Sequence, residues 1–409
     1  MRWLAILIAL GATAPQASAD EPTARITWAD LEPLLRTHPA MVIADQEIAA
    51  ADGEQLAAHA LPNPELGAEL GRARSHDGAE EALVWGLEGE LALPWPGSVM
   101  ARIQGASARL RGAKVDRRLV WRELRARGRA LFLTVARDQR VAALWRAAEA
   151  DGAELERAVQ LRVDRGEDPP LEALRVRAEL ERTRMEADRT ALELDLHRDA
   201  LDRWLGDPFP DGFTVVPGAE AGATPNEEEV RRRAREGHPL LSAADAVADE
   251  AEAGLREAQA EAVPELVVGA GFESELDARA MTGSVGLEIP ILAPGVGEIR
   301  AARARTTIAA RERELAHREV DLQVDDAWIA FQAADGAARR YSEGILPAAE
   351  TAASALTLAY RSGEISLLDV LDARRTWLEV QVEQTEVELE RALALDAILT
   401  LMGEHDDDH

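Results

Sequence analysis

Asp369 and Asp372 stand three residues apart in the run Leu367-Leu-Asp-Val-Leu-Asp372. On a helix that spacing places both carboxylates on one face, a turn apart. Together they would attract a cation and repel an anion. A solvated helix face balanced by Arg374 and Arg375 explains the same residues, so both readings stay open. A second candidate is the end of the chain, where His405, Asp406, Asp407, Asp408 and His409 could hold a metal ion loosely. A disordered acidic tail describes it as well. Otherwise the sequence lacks catalytic spacing: it has no Gly-rich phosphate loop, no Cys nucleophile and no HExxH, and its eight His are scattered. We expect no enzyme and no cofactor.

The elements that must position the two aspartates occur twice. Leu358–Arg374 lies on Leu161–Arg177 at an offset of 197 positions without a gap. Gly363 then falls on Gly166, Glu364 on Glu167, Leu368 on Leu171 and Leu371 on Leu174. In each copy a helical run breaks at Arg165-Gly166-Glu167 or at Ser362-Gly363-Glu364 and then resumes. Glycine there can take the positive φ that ends a helix and turns the chain, which predicts the tip of a helical hairpin. Upstream, His38-Pro39 repeats as His238-Pro239 and Pro64-Glu65-Leu66 as Pro264-Glu265-Leu266, both at an offset of 200. The His-Pro pairs read as helix starts, where proline is well placed. A period near 200 is too long for a solenoid, so a domain-sized unit is duplicated.

Between these landmarks each copy has two short stretches with strand periodicity, Glu65–Arg74 with Leu83–Leu93, and Glu265–Glu275 with Ala280–Ile289. Leu83, Trp85, Leu87, Leu91 and Leu93 alternate with small or acidic residues, as do Leu266, Val268, Ala270 and Phe272. An ordinary half-buried sheet would look the same over one strand. The surroundings favour a membrane, since the strands are isolated pairs between helices too long to wrap a small sheet. Ten tilted residues cross a bilayer as a strand. Four strands cannot close a barrel, for which about eight is the minimum, so the barrel must be shared between chains. On alternation, Glu88, Glu90, Glu273 and Glu288 would line its lumen.

Proline-rich breaks at Pro94–Gly97 and Pro290–Gly295 end the strand pairs. Runs of nearly seventy residues follow, to Arg165 and to Ser362, the second interrupted at Gly344–Pro347. Unbroken, such a helix is about 100 Å long. The returns, Glu167–Gly206 and Glu364–Gly403, are about 60 Å each. Leu378, Val382, Thr385, Leu389, Ala392, Asp396 and Leu399 step by three and four, a coiled-coil seam.

The 409 residues carry a formal charge of -29, which argues against nucleic acid as a partner and suits a lumen that favours cations. Aromatic content is only 4%, while Ala, Leu, Glu and Arg dominate, as in long helices. Arg2, the apolar Trp3–Leu10 and Ala17-Ser18-Ala19 read as a signal peptide over 1–19, hence an exported protein. With no Cys there is no disulfide and no lipid anchor on cysteine. The expected organisation is a first repeat over 20–206, a connector over 207–226, a second repeat over 227–403 and the tail 404–409.

Two copies of helix, strand pair, long helix, glycine tip and returning helix behind a signal peptide resemble the TolC-type outer-membrane efflux proteins. Tyr360, Gly363 and Asp369-Val370-Leu371-Asp372-Ala373 look like that family's second tip. His38-Pro39 with Leu61–Leu66 looks more like its CzcC and CusC heavy-metal branch. The resemblance implies a fold that is mainly α with a small membrane β part: four strands per chain in a shared trimeric twelve-stranded barrel, continued by a long coiled-coil α-barrel. It places the chain in the outer membrane of a Gram-negative bacterium, with a periplasmic helical extension. It implies a homotrimer that passively conducts substrate, heavy-metal cations on the branch likeness. Partners would be an inner-membrane RND-type pump and a periplasmic adaptor, or membrane fusion protein, docking on the tips around Arg165, Gly166, Glu167, Ser362, Gly363 and Glu364. Asp369 and Asp372 would form a ring of six carboxylates at the periplasmic aperture. Tyr360 matches the family's gate tyrosine, and Glu172 its acidic partner. Ile365 stands where some members carry a gate arginine, and Arg175 replaces the counterpart of Asp372, so Arg175 with Asp369 or Asp372 is the substitute pairing. The rival from another class is a periplasmic or secreted coiled-coil interaction protein without channel activity.

Overall fold

The structure is a computed structural model that describes residues 24–74, 81–218, 226–274, 279–289, 295–362 and 364–403. The expected signal peptide, the tail with His405 and His409, Gly363, residues 219–225 of the connector and 290–294 of the second proline-rich break lie outside the described residues. In chain order the elements are β1 (Ala24–Ile26), α1 (Trp28–Arg36), α2 (Pro39–Ala58), β2 (Glu65–Arg74), β3 (Glu81–Leu93), α3 (Pro96–Asp164) and α4 (Pro170–Leu205). There follow β4 (Phe213–Val215), α5 (Glu227–Gly237), α6 (Pro239–Glu261), β5 (Glu265–Ser274), β6 (Arg279–Glu288) and α7 (Val296–Arg340). A π-helical turn (Tyr341–Ile345), α8 (Leu346–Arg361) and α9 (Leu367–Leu401) complete the chain. The fold is mainly α with a small β part. Among the described residues no helix is long and apolar enough to cross a membrane.

The chain divides into two compact units, one of residues up to Leu34 with Leu131–Glu220, the other of Leu35–Ala130 with Ala221–His409. In the first, α4 buries Val176, Leu180, Ala187, Thr190, Leu194 and Leu201, steps of three, four and seven that make a heptad seam. Gly152 of α3 makes room for one of these knobs, since a Cβ there would stand 3.2 Å from Leu180 Cδ1. Buried Asp138 lies beside Arg137 (Nε to Oδ1 2.8 Å) and is hydrogen-bonded to His197 Nδ1. β1 and β4 pair in parallel, with Ile26 opposite Val215. The other edge of β4 meets Gln139, whose Nε2 donates to the Val215 carbonyl (2.9 Å) while its Oε1 accepts from the Val215 N–H (2.8 Å). The stretch read as a plain connector therefore contains a strand. Three residues are too few for alternation to show, and the partner lies far away in sequence.

In the second unit His38 and His238 are the N-caps of α2 and α6, each Nδ1 accepting from the backbone N–H two residues on (3.2 Å). Small residues let the helices approach closely. Gly105 and Gly112 of α3 face Ala253 and Ala246 of α6, and α7 buries Ala302, Ala309 and Ala316 at intervals of seven. A core of Val230, Ala234, Leu241, Val320, Val324, Phe331, Ile398 and Leu401 joins α5, α6, α7 and α9. Two expectations are corrected here. The interruption at Gly344–Pro347 is a π-helical turn rather than a break: Pro347 has no N–H for the α-helical bond to residue 343, and a widened turn carries the helix past it. The seam named on α9 is also not the buried line. Of its members only Thr385 is fully buried, and burial on α9 otherwise falls at Leu367, Val370, Leu371, Val380, Ile398 and Leu401. The cause is that α9 packs against both α7 and α8, which spreads half-burial around the helix. Asp396 pairs instead with Arg129 of α3 (3.8 Å).

Candidate functional site

The second unit's sheet is antiparallel in the order β2-β3-β5-β6, so the two strand pairs adjoin through β3 and β5. The register places Leu66, Leu70, Trp85, Leu87, Leu91, Leu266, Val268, Phe272, Met281, Val285 and Leu287 on one face. The opposite face carries Glu65, Glu69, Glu88, Glu90, Glu265, Glu273 and Glu288 among glycines, other small residues and the valines Val84 and Val267. The Glu88 side chain lies over Gly67, where a Cβ would stand 2.6 Å from its carboxylate and oblige that side chain to move. The apolar face is open, with Leu66 86% and Val285 78% exposed. Arg72, Glu81 and Arg279 charge that face only at its loop end. The edges β2 and β6 have no further strand among the described residues. Glu88, Glu90, Glu273 and Glu288 thus do share one face, and Glu65, Glu69 and Glu265 join them.

The first tip lies in the first unit. α3 ends in Gly166 at φ +74°, with its N–H donating to the Val163 carbonyl and that of Glu167 to the Arg162 carbonyl, both at 2.9 Å. This is the glycine-terminated Schellman pattern. α4 restarts from Pro169, which supplies no side-chain cap. Closure falls to Arg162, whose Nη2 donates to Asp168 Oδ1 (3.0 Å) while its Nε lies 2.9 Å from Oδ2. Arg165, Gly166 and Glu167 are exposed. On the first turns of α4, Glu172 is half-buried and Arg175 exposed.

The second tip lies in the second unit and repeats the backbone, with the Glu364 N–H donating to the Ala359 carbonyl (3.0 Å), again at an offset of 197 from its counterpart. Ser362 and Glu364 are exposed and Tyr360 is half-buried. Here α9 opens on a capping box: Asp369 N–H meets Ser366 Oγ (3.4 Å), and Asp369 Oδ2 accepts from Ser366 N–H (3.1 Å) and Oγ–H (2.7 Å). The Ser366 hydroxyl, and after it the backbone N–H, holds the Asp369 carboxyl below its usual range. Leu367, Val370 and Leu371 are buried, which turns Leu368, Asp369 and Asp372 outward. The structure does bring the two aspartates onto one exposed face. The Ser-Leu-Leu-Asp spacing that signals the cap was present in the sequence and went unread, as did the role of Asp168. Both tips also expose a leucine pair at matched positions, Leu161 with Leu171 and Leu358 with Leu368.

Away from the tips, the Tyr341 hydroxyl in the π-helical turn donates to Glu383 of α9 (3.0 Å), and that bond raises the pKa of the phenol. Among the described residues no group of three or more His, Asp or Glu is placed to hold a metal ion.

The sheet is apolar on one face and acidic on the other, and in each unit a long helix turns back at a tip closed by the same backbone bond. Residues 230–404 match the model of the family described as outer membrane efflux protein. Over 362 residues the sequence is 24% identical to the cobalt-zinc-cadmium resistance protein CzcC of Cupriavidus metallidurans, covering 87% of this chain and 85% of that one. Among solved structures, a membrane protein from Pseudomonas aeruginosa superposes with a TM-score of 0.77 at 19% identity, over 92% of this chain and 90% of that one. The outer membrane protein VceC from Vibrio cholerae gives 0.75 at 17% identity, over 92% and 96%. The fold is that of these proteins, and the resemblance to the TolC-type family read from the sequence holds.

Proposed function

We propose that this protein is the outer-membrane exit duct of a tripartite efflux system. It would passively conduct substrate, heavy-metal cations foremost, delivered by an inner-membrane pump of RND type through a periplasmic adaptor. The observation that carries this reading is the sheet: its open apolar face suits lipid, its glutamate face suits a wet cation path, and four strands with two open edges need other copies to close. Three copies give twelve strands, β6 of one pairing with β2 of the next. Exposed apolar residues on the helices next in sequence to the edge strands, Ile308 and Leu315 on α7 and Val42 and Leu56 on α2, would supply lateral helix contacts for the same assembly. The metal reading leans on what CzcC is named for, together with the acidic lining. On this reading the chain is one efflux unit duplicated, behind a signal peptide.

The exposed tips, with their matched leucines, are the adaptor-docking ends. Asp372 with Asp369 forms the acidic aperture ring, and Tyr360, Glu172 and Arg175 belong to the gate. The test is single-channel recording of the mature protein in planar bilayers under a salt gradient. We expect discrete cation-selective steps, and weaker cation selectivity in Asp372→Asn, a change that leaves the Ser366 cap intact. Elongated soluble particles that never insert would sink the duct and favour an interaction protein. Channels with unaltered selectivity in the variant would remove the aperture ring alone.

A further inference from the structure

The second unit contains a groove of about 720 Å³ lined by α2, α6 and the N-terminal part of α3. From α3 it takes Arg111, Lys114, Arg117 and Arg118, and from α6 Ser242, Asp245 and Asp249. Both wall carboxylates are already engaged, Asp249 with Arg111 (2.6 Å) and Asp245 with Arg313 of α7 (2.6 Å). Arg117 is matched by Asp45 of α2 (2.5 Å). Lys114 and Arg118 are left, and among the described residues neither has an ion pair or side-chain hydrogen bond. Four residues apart, they share a helix face, where like charges repel. The groove thus holds two uncompensated positive charges in a chain whose formal charge is -29. Lys114 is also the only lysine of the sequence, every other basic side chain apart from histidine being arginine.

We propose that this groove binds a small dianion, phosphate or a short dicarboxylate, between Lys114 and Arg118. The ammonium and guanidinium supply charge-assisted hydrogen bonds, and the Ser242 hydroxyl, half-buried at the wall, adds a neutral donor. Such a ligand removes the repulsion between the two cations and ties α3 to α6. The site is independent of channel activity and needs no part of the sheet or the tips.

The single lysine makes the test direct. The purified full-length protein is acetylated with an N-hydroxysuccinimide ester, and the rate at Lys114 is read by peptide mass mapping. Inorganic phosphate or succinate, tested separately, is expected to slow that rate roughly tenfold, the scale of one charge-assisted contact. The two arms tell which dianion the groove prefers, while sodium chloride at the same ionic strength has no effect. Arg118→Gln, which removes the like charge beside the amine, should lower the unprotected rate somewhat and abolish the protection, read as the ratio of rates with and without the dianion. Equal slowing by chloride, or none by either dianion, overturns the proposal. Should the variant misfold by circular dichroism, calorimetric titration of the wild-type protein with phosphate decides, and the absence of saturable heat overturns the site.

Discussion

At the first hairpin end Arg162 reaches across the turn to Asp168, whereas at the second the equivalent positions are Ala359 and Ile365 and closure passes to Ser366 and Asp369. The backbone bond from the second residue of the turn to the carbonyl five residues back is the same in both. At the first end Gly166, at φ +74°, fixes that bond, and the second end makes the same one amid different side chains. The side-chain closure is replaceable, and the two ends have solved it with different physics. One is an ion pair over a separation of six residues, half screened by protein. The other is a local box of hydrogen bonds in water. The second solution engages the carboxylate that the proposed function assigns to the aperture, so Asp369 has a structural role as a cap.

The largest effect should come from Asp168→Ala. It leaves the Arg162 guanidinium without its main partner, and amide exchange at Gly166 and Glu167 should accelerate roughly tenfold. Exchange at Glu364 should not move. Equal acceleration at both ends would mean that the ends are coupled and the contrast is false.

Ser366→Ala comes next. Loss of the cap should raise exchange at Asp369 roughly fivefold and leave the first end alone. It should also return the Asp369 carboxyl toward its ordinary pKa, as read by NMR titration of the side chain. The sign follows from the lowered folded value: the stability it lends is present above the unfolded carboxylate pKa and is lost as pH falls through the folded one. An unmoved midpoint would show that the hydroxyl is not the cause.

The smallest effect is that of salt. Near 1 M the screening length is about 3 Å, so exchange at the first end should quicken, by less than about threefold, while the capping box is indifferent. A response at the second end alone would reverse the assignment of mechanisms.

Much of this was legible in the sequence for physical reasons that can be named. Gly166 and its repeat announce chain reversals, strand alternation shows because one face is apolar and the other acidic, and His-Pro marks helix starts. What stayed hidden was short or depended on neighbours. β1 and β4 are too brief to show a period. α5, with its Glu and Arg rows, reads as a charged stretch until Val230 and Ala234 are seen in the core. The seam on α9 was misplaced because a helix with two neighbours has no single buried line. The Arg162–Asp168 pair needed the turn to be folded before a six-residue separation became a contact.

Gln139 has a consequence of its own. By offering one donor and one acceptor to Val215, its amide stands in for the next strand and brings the β1–β4 ribbon to a finite width. An open ribbon edge invites any passing strand to extend it. A carboxylate at the same place could accept from the Val215 N–H but could not donate to its carbonyl, and half the edge would reopen. On the β4 side the ribbon therefore ends at a side chain that imitates a peptide bond, and a single residue does there what a further strand would otherwise do.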